Sequence, residues 1–176
     1  MQFIVLPQNM AVQFHPFGEG LANVAMIRIT TDPEFGRLHY PDQFMGVLEL
    51  HFADIIDGDR DKWNQEAIDY FEKMGMKTHP ISLEQAKQIV EFAEQMRDQE
   101  CHTMVVHCQA GYSRSPAVAV ALAEHLGEKQ EYHKLCNLVG RGRFSPNPTV
   151  LSRIREATGA RDRRQQELEQ LWKEIP

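Results

Sequence analysis

Cysteine, long apolar runs and positive charge are all scarce in this chain of 176 residues. Its three cysteines are too few for a disulfide framework. No apolar run approaches the roughly 20 residues that a membrane-spanning helix needs, so we expect no membrane partner. The formal net charge of −6 disfavours nucleic acid as a partner, since phosphate backbones attract basic surfaces. Any anionic ligand must therefore be captured by a local positive field.

The N-terminus and several histidines lack targeting and metal-binding patterns. Residues 1–7 carry no basic stretch and are too short for a signal peptide, so we expect an edge strand there and a cytoplasmic protein. Four histidines fit no metal-ligand spacing: His39, His51, His79 and His102.

The length suits one domain, residues 1–176, whose oligomeric state the sequence leaves open.

Apolar runs and helical periodicity predict an α/β protein. About five strands are expected, at 3–6, 10–14, 23–30, 46–52 and 103–108. Helices are expected at 62–74, 82–96, 116–123, 130–139 and 149–157. Ser82, followed by Gln85, forms a capping box at the start of the second helix. The first helix has an apolar stripe that is more typical of a packed face than of a ligand platform: Trp63, Ala67, Tyr70, Phe71 and Met74.

The nine residues 107–115 connect the last predicted strand to an apolar helix. A turn placed this way lies at a helix N-terminus, where unpaired N–H groups and the helix dipole favour an anion. Gly111 permits backbone angles that a Cβ would forbid, and Arg114 supplies a planar fork of donors suited to phosphate oxygens. The same field favours the thiolate of Cys108, because helix N-termini and basic neighbours lower cysteine pKa values to roughly 3.5–7.5. The pattern predicts a soft nucleophile in an anion cradle, as phosphoryl transfer requires.

This turn resembles the signature loop of the cysteine-dependent protein tyrosine phosphatases. The shared features are the pair His107-Cys108, Gly111 third after the cysteine, and the pair Arg114-Ser115. The stretch Tyr112-Ser113-Arg114-Ser115 is most similar to the compact dual-specificity and prokaryotic branch. The resemblance implies a central, mostly parallel sheet covered by helices. It also implies hydrolysis of phosphotyrosine, with phosphoserine and phosphothreonine as further substrates.

The resemblance gives each residue of the loop a role. Cys108 is the expected nucleophile, which forms a phosphocysteine, and Ser115 is expected to donate a hydrogen bond to its sulfur. The expected phosphate-binding residues are Gln109, Ala110, Gly111, Tyr112, Ser113 and Arg114. His107 supports the loop, as does Asn147, which precedes the last predicted helix. No metal or other cofactor is required, because Arg114 and the loop dipoles supply the positive charge.

Asp54 is the expected general acid. Prokaryotic members of the family end the equivalent strand with an aromatic residue and then the acid, and Phe52-Ala53-Asp54 resembles that pattern. Further aspartates follow directly, and Asp57 is the alternative acid. The predicted helix at 62–74 accounts for a longer gap between Asp54 and Cys108 than compact members have.

Other functions are also compatible with the sequence. A catalytically weak phosphate-binding or interaction module would keep the loop but lack a working acid. A phosphatase acting on a non-protein phosphate monoester is a further alternative. Sulfurtransferases and arsenate reductases share the Cys-x5-Arg spacing, but arsenate reduction normally calls for resolving cysteines. Cys101, interpreted as an inert strand-edge residue, and Cys136, in a helix, do not obviously serve that purpose.

Residues 161–176 are expected to form a C-terminal amphipathic helix. Its apolar face would carry Leu168, Leu171, Trp172 and Ile175. The helix either packs on the domain or mediates self-association.

Overall fold

Four parallel strands form the sheet of the computed structural model, which describes residues 1–17, 21, 23–32, 36–57 and 65–159. The strands are β1 (Gln2–Pro7), β2 (Val24–Thr30), β3 (Val47–His51) and β4 (Thr103–Cys108). Their order across the sheet is β1-β4-β2-β3, so β1 is an edge strand, as expected. Every neighbouring pair is parallel. The predicted α/β class with a mainly parallel sheet is confirmed.

Helices cover the sheet and position its carboxyl edge. Those in the described ranges are α1 (Gln8–Ala11), α2 (Gln65–Lys73), α3 (Leu83–Asp98), α4 (Arg114–His125), α5 (Lys129–Gly140) and α6 (Pro148–Ala157). Helices α3 and α4 both contact α6, and α4 also lies against β4 and β1. The predicted capping box is present, since Ser82 and Gln85 exchange side chain–backbone hydrogen bonds. No helix in these ranges is long and apolar enough to cross a membrane.

Alternate residues of the strands face two separate cores. On one face, Ala25 and Ile27 of β2 pack with residues of α3, α4 and α6 in the larger cluster. On the other face, Met26 packs in a smaller cluster with Ala11 of α1. Strand β4 is buried along its whole length, so its last residue, Cys108, is delivered to the sheet edge by a rigid element.

The prediction of a strand at 10–14 is wrong. Pro7 ends β1, and a single helical turn follows at once, with the Val12 N–H donating to the carbonyl four residues back at 3.0 Å. Ala11 is wholly buried in the smaller core, whereas Met10 is 56 % exposed. The apolar run therefore belongs to a tight turn, and the described residues form a sheet of four strands where about five were expected.

Helix α2 is less buried than its apolar pattern predicts. Trp63, the first residue of the predicted stripe, lies outside the described residues. Ile68 is buried, whereas Tyr70 and Met74 are 61 % and 60 % exposed. Tyr70 and Met74 therefore do not belong to a packed face of the kind expected. The C-terminal helix predicted at 161–176 also lies outside the described residues.

Candidate active site

The turn between β4 and α4 lies at the carboxyl edge of the sheet. Helix α4 begins at Arg114, slightly earlier than the sequence pattern indicates, and every residue from Arg114 to Ala123 is buried. A buried helix directs its positive end and its free N–H groups toward the residues that precede it, which favours an anion there. The turn thus has the environment expected from its sequence.

Gly111 brings the turn into contact with the backbone of β1. Its φ is +66°, in the left-handed region that favours glycine. A Cβ added to it would lie only 2.7 Å from the Leu6 carbonyl carbon and from the Pro7 nitrogen. The Gln8 N–H also donates to the Gln109 carbonyl at 3.2 Å, so the junction of β1 and α1 fixes the first half of the turn.

Gly111→Ala is expected to destabilise the protein by roughly 3 kcal/mol, because the new methyl group strains φ and also meets the β1 backbone. Urea unfolding followed by circular dichroism measures the loss. Gly142→Ala is the matched control, since Gly142 has a φ of +71° but nothing within 4 Å of an added Cβ. The control should lose only about 1 kcal/mol. Equal losses in the two variants would mean that the contact with β1 does not require glycine.

Cys108 presents a buried sulfur that accepts hydrogen bonds. Its residue is 2 % exposed, and the Ser115 hydroxyl donates to Sγ at 3.1 Å. Burial by itself would raise the pKa of the Cys108 thiol. The Ser115 hydroxyl, the backbone N–H groups of Ser115 and Gly111 and the charge of Arg114 together outweigh burial, so the pKa lies below its ordinary value. The sulfur is therefore held in a setting that favours the thiolate.

Arg114 is buried with one donor unused. Its Nη1 donates to the Phe52 carbonyl at 2.8 Å, which fixes the guanidinium against the segment after β3. Its Nε is buried and makes no hydrogen bond to any of the residues that the structure describes. The carboxylate of Asp54 lies nearby, with Oδ2 at 3.9 Å from Nε. A buried guanidinium N–H without an acceptor is costly, and an anion seated in the turn would supply one.

Asp54 lies above the turn and is held there by two side chains. The Ser113 hydroxyl donates to its Oδ1 at 2.7 Å, and Asn147 Nδ2 donates to the same oxygen at 2.8 Å. Asn147 is buried and caps α6, since its Oδ1 accepts from the N–H groups of Thr149 and Val150. The backbone N–H of Asn147 donates to the Ser113 carbonyl at 3.2 Å. Through its side chain and its backbone, Asn147 thus joins α6, the turn and the carboxylate.

Asp57 faces away from the turn. Its carboxylate lies 3.6 Å from Arg153 of α6, and its N–H donates to the Thr149 hydroxyl at 2.8 Å. Of the two carboxylates, Asp54 lies at the turn and Asp57 lies against α6.

Three further predicted phosphate-binding residues are exposed at the surface of the turn: Gln109, Ala110 and Tyr112. The Tyr112 carbonyl accepts a hydrogen bond from the Ser145 N–H at 2.9 Å. The connection between α5 and α6 thus holds the second half of the turn.

Cys101 lies at the opposite end of β4 from Cys108. Its buried thiol donates to the Thr103 carbonyl at 3.2 Å, and burial raises the pKa of Cys101. The strand between the two cysteines is about 20 Å long at the usual rise per residue, so they do not meet. All three cysteines are free, with Cys136 half-buried in α5.

A network of hydrogen bonds among buried side chains next to the turn was not predicted from the sequence. His107 is wholly buried, and its Nε2 accepts from Arg28 Nε at 3.2 Å. Arg28 is itself 3 % exposed and also donates to the carboxylate of Glu49. The available signal was one arginine in the segment Val24–Thr30, which is otherwise apolar except for its last residue and is buried throughout. Identifying its partners requires the order of the strands.

No family model matches the chain, and no curated protein matches it. Similar solved structures include the human tyrosine phosphatase-like serine/threonine/tyrosine-interacting protein, with 18 % identity, coverage of 90 % of this chain and 91 % of that chain, and a TM-score of 0.46. PTPMT1 has 14 % identity over 94 % of this chain and 95 % of its own, with a TM-score of 0.44. Tk-PTP in the active form has 16 % identity over 89 % and 90 %, with a TM-score of 0.36. By its own signature turn and the parallel sheet that presents it, the chain resembles the cysteine-dependent protein tyrosine phosphatases.

Proposed function

We propose that the protein is a cysteine-dependent phosphoric monoester hydrolase that acts through a phosphocysteine. One observation carries the proposal: the Cys108 sulfur and the Arg114 guanidinium are both buried in one turn, the charge of Arg114 acts on the sulfur, and the guanidinium keeps an Nε–H without an acceptor among the described residues. A thiolate is a strong nucleophile, and the cradle is complementary to the oxygens of a phosphoryl group.

In the first step, the Cys108 thiolate attacks phosphorus in line. The S–P bond forms as the bond between phosphorus and the leaving oxygen breaks, and Asp54 gives that oxygen its proton. Arg114 and the N–H groups of residues 109–114 bind the equatorial oxygens, where charge is spread in the transition state. The position of Asp54 Oδ2, 3.9 Å from Arg114 Nε, supports this role, because a phosphate bound by Arg114 would lie beside the acid.

In the second step, water attacks the phosphocysteine. Asp54, now ionised, accepts a proton from the water, the P–S bond breaks, and inorganic phosphate is released. The departing sulfur carries negative charge, which the Ser115 hydroxyl stabilises from 3.1 Å. Each of the two displacements is easier than one direct attack of water.

Phosphotyrosine is the proposed substrate, with phosphoserine and phosphothreonine as further ones. A phenolate leaves more easily than an alkoxide, so the chemistry favours the aromatic ester. The turn carries no lysine, since Gln109, Ala110 and Tyr112 are all uncharged. Additional cations in the turn would suit a phosphoinositide headgroup, which carries more negative charge than a phosphorylated side chain. Their absence from the turn therefore favours a singly phosphorylated side chain as the substrate.

The test is phosphate release from three phosphopeptides that share one sequence and differ only in phosphotyrosine, phosphoserine or phosphothreonine. We expect the phosphotyrosine peptide to have the highest kcat/KM. An aryl phosphate serves as a substrate without peptide contacts. If tungstate binds to the protein but no substrate releases phosphate, the phosphate-binding module is the better description. If tungstate does not bind either, the anion cradle itself is excluded.

A further inference from the structure

Three neighbouring strands place Glu49, Arg28 and His107 in one row. The register pairs Arg28 with Glu49 on one side and with His107 on the other, on the face of the smaller core. The guanidinium donates from Nε to His107, from Nη1 to the Glu49 carboxylate, and from Nη2 to the Gly36 carbonyl at 2.6 Å. The row ends at His107, which directly precedes the proposed nucleophile, Cys108.

Packing alone does not explain Arg28. Apolar residues of similar volume replace a buried ion pair with little loss, and often with a gain, of stability. β2 is otherwise built of apolar residues and one threonine, and all of its residues are buried. A charge placed there incurs the desolvation cost, and burial indeed lowers the pKa of Arg28 despite the opposing carboxylate of Glu49. Its direct partner in the active site is the imidazole of His107.

The guanidinium determines the state of that imidazole. Arginine has donors and no acceptor, so Nε2 of His107 must accept, and the proton of the neutral ring lies on Nδ1. Among the described residues, the charged groups around the ring are Arg28 from β2 and Arg114 from α4. The backbone of Cys108 lies beside the ring, and Nδ1 makes no hydrogen bond to the described residues. Burial, followed by the charge of Arg28, lowers the pKa of His107 to about 4. The ring is therefore neutral at physiological pH and has one tautomer.

We propose that Arg28 is a positioning residue for the nucleophile. By fixing His107 in one tautomer and one orientation, it sets the peptide that carries Cys108 and so places the sulfur among the donors of the turn. Glu49 and the Gly36 carbonyl hold the guanidinium in that orientation. The role in turnover rests on the proposed hydrolase activity, whereas the effect on the Cys108 sulfur does not.

Arg28→Met tests the proposal with two measurements. We expect kcat/KM on an aryl phosphate to fall by on the order of 10²-fold, mainly through kcat, as misplacement of a reacting group does. Alkylation of Cys108 by iodoacetate, followed against pH, should shift its midpoint upward, because a displaced sulfur loses part of its contact with the donors. Alkylation needs no phosphatase activity, so it tests the positioning role even if the wild type releases no phosphate.

Two further variants separate positioning from a loss of fold. Met26 lies two residues from Arg28 on the same face of β2. Met26→Leu conserves volume and should leave both measurements unchanged. Glu49→Gln changes a half-exposed partner and should shift the alkylation midpoint in the same direction as Arg28→Met, by less. Should Arg28→Met not fold, Glu49→Gln alone decides the question. An unmoved alkylation midpoint in a folded Arg28→Met, or in Glu49→Gln where it alone decides, overturns the proposal.

A double-mutant cycle shows whether Arg28 acts through His107. His107→Asn keeps a donor near the position of Nδ1 and cannot change tautomer. In that background, Arg28→Met should lower kcat/KM by less than about threefold, because the interaction that it disrupts is already gone. A full 10²-fold loss in both backgrounds would mean that Arg28 acts independently of His107 and would refute the mechanism.

Discussion

Cys108→Ser should lower phosphate release by on the order of 10⁵-fold or more, since removal of a catalytic nucleophile has effects of that size. The serine hydroxyl is almost entirely neutral at pH 7, whereas the environment of Cys108 favours the anion. No other group in the described residues of the cradle replaces the sulfur: Ser115 donates to it and belongs to α4. Release of inorganic phosphate from an aryl phosphate, compared at equal protein concentration, measures the loss.

The controls for this experiment distinguish chemistry from structure. Cys136→Ser changes a half-buried cysteine of α5 that lies outside the turn, and it should retain wild-type turnover. Cys108→Ser should still bind tungstate, because Arg114 and the backbone of the turn are unchanged. Turnover that survives in Cys108→Ser contradicts the thiolate mechanism. Loss of both turnover and tungstate binding would instead indicate that the turn has collapsed.

The residues of the signature turn could be predicted because they act within nine consecutive positions. Once a strand leads into Cys108 and a helix starts near Arg114, the turn has few possible geometries, and Ser115 comes to lie under the sulfur. Gly111 was also predictable, since its left-handed φ of +66° favours glycine. Local sequence thus determines local geometry, and the chemistry follows from it.

Arg28 and Glu49 could not be predicted in the same way. Their contact with His107 depends on β2 lying between β3 and β4, and on a register that aligns three residues far apart in sequence. A buried arginine in an apolar strand indicates that a partner exists, but it does not identify the partner. Strand order, which no single segment specifies, supplies that information.

The mistaken strand at 10–14 has a related cause. Met10, Ala11 and Val12 form a short apolar run, and nothing in the segment itself distinguishes a strand from a turn. The outcome depends on the smaller core, where one small residue, Ala11, fits under the sheet and the chain then reverses. Tertiary packing overrides a short local pattern of this kind.

Asp54→Asn should reduce kcat/KM for a phosphoserine peptide by about 10²–10⁴-fold, the usual contribution of a general acid. Asparagine has nearly the same shape, and its amide oxygen can still accept from Ser113 and Asn147, so the segment should keep its place. It cannot deliver a proton, so a leaving alkoxide would depart unprotonated. The loss should therefore shrink as the leaving group becomes a weaker base, and an activated aryl phosphate should show the smallest effect.

Asp57→Asn is the matched control for that series. Asp57 lies three residues further along the same segment and pairs with Arg153 of α6. Its replacement should therefore lower the stability slightly, and its effect on kcat/KM should not depend on the leaving group. Measurements of kcat/KM across aryl phosphates of graded leaving-group basicity distinguish the two variants. A leaving-group dependence that appears in Asp57→Asn and not in Asp54→Asn would transfer the acid role to Asp57. Such a result would require the segment after β3 to rearrange when substrate binds, because Asp54 is the carboxylate that Asn147 and Ser113 hold over the turn.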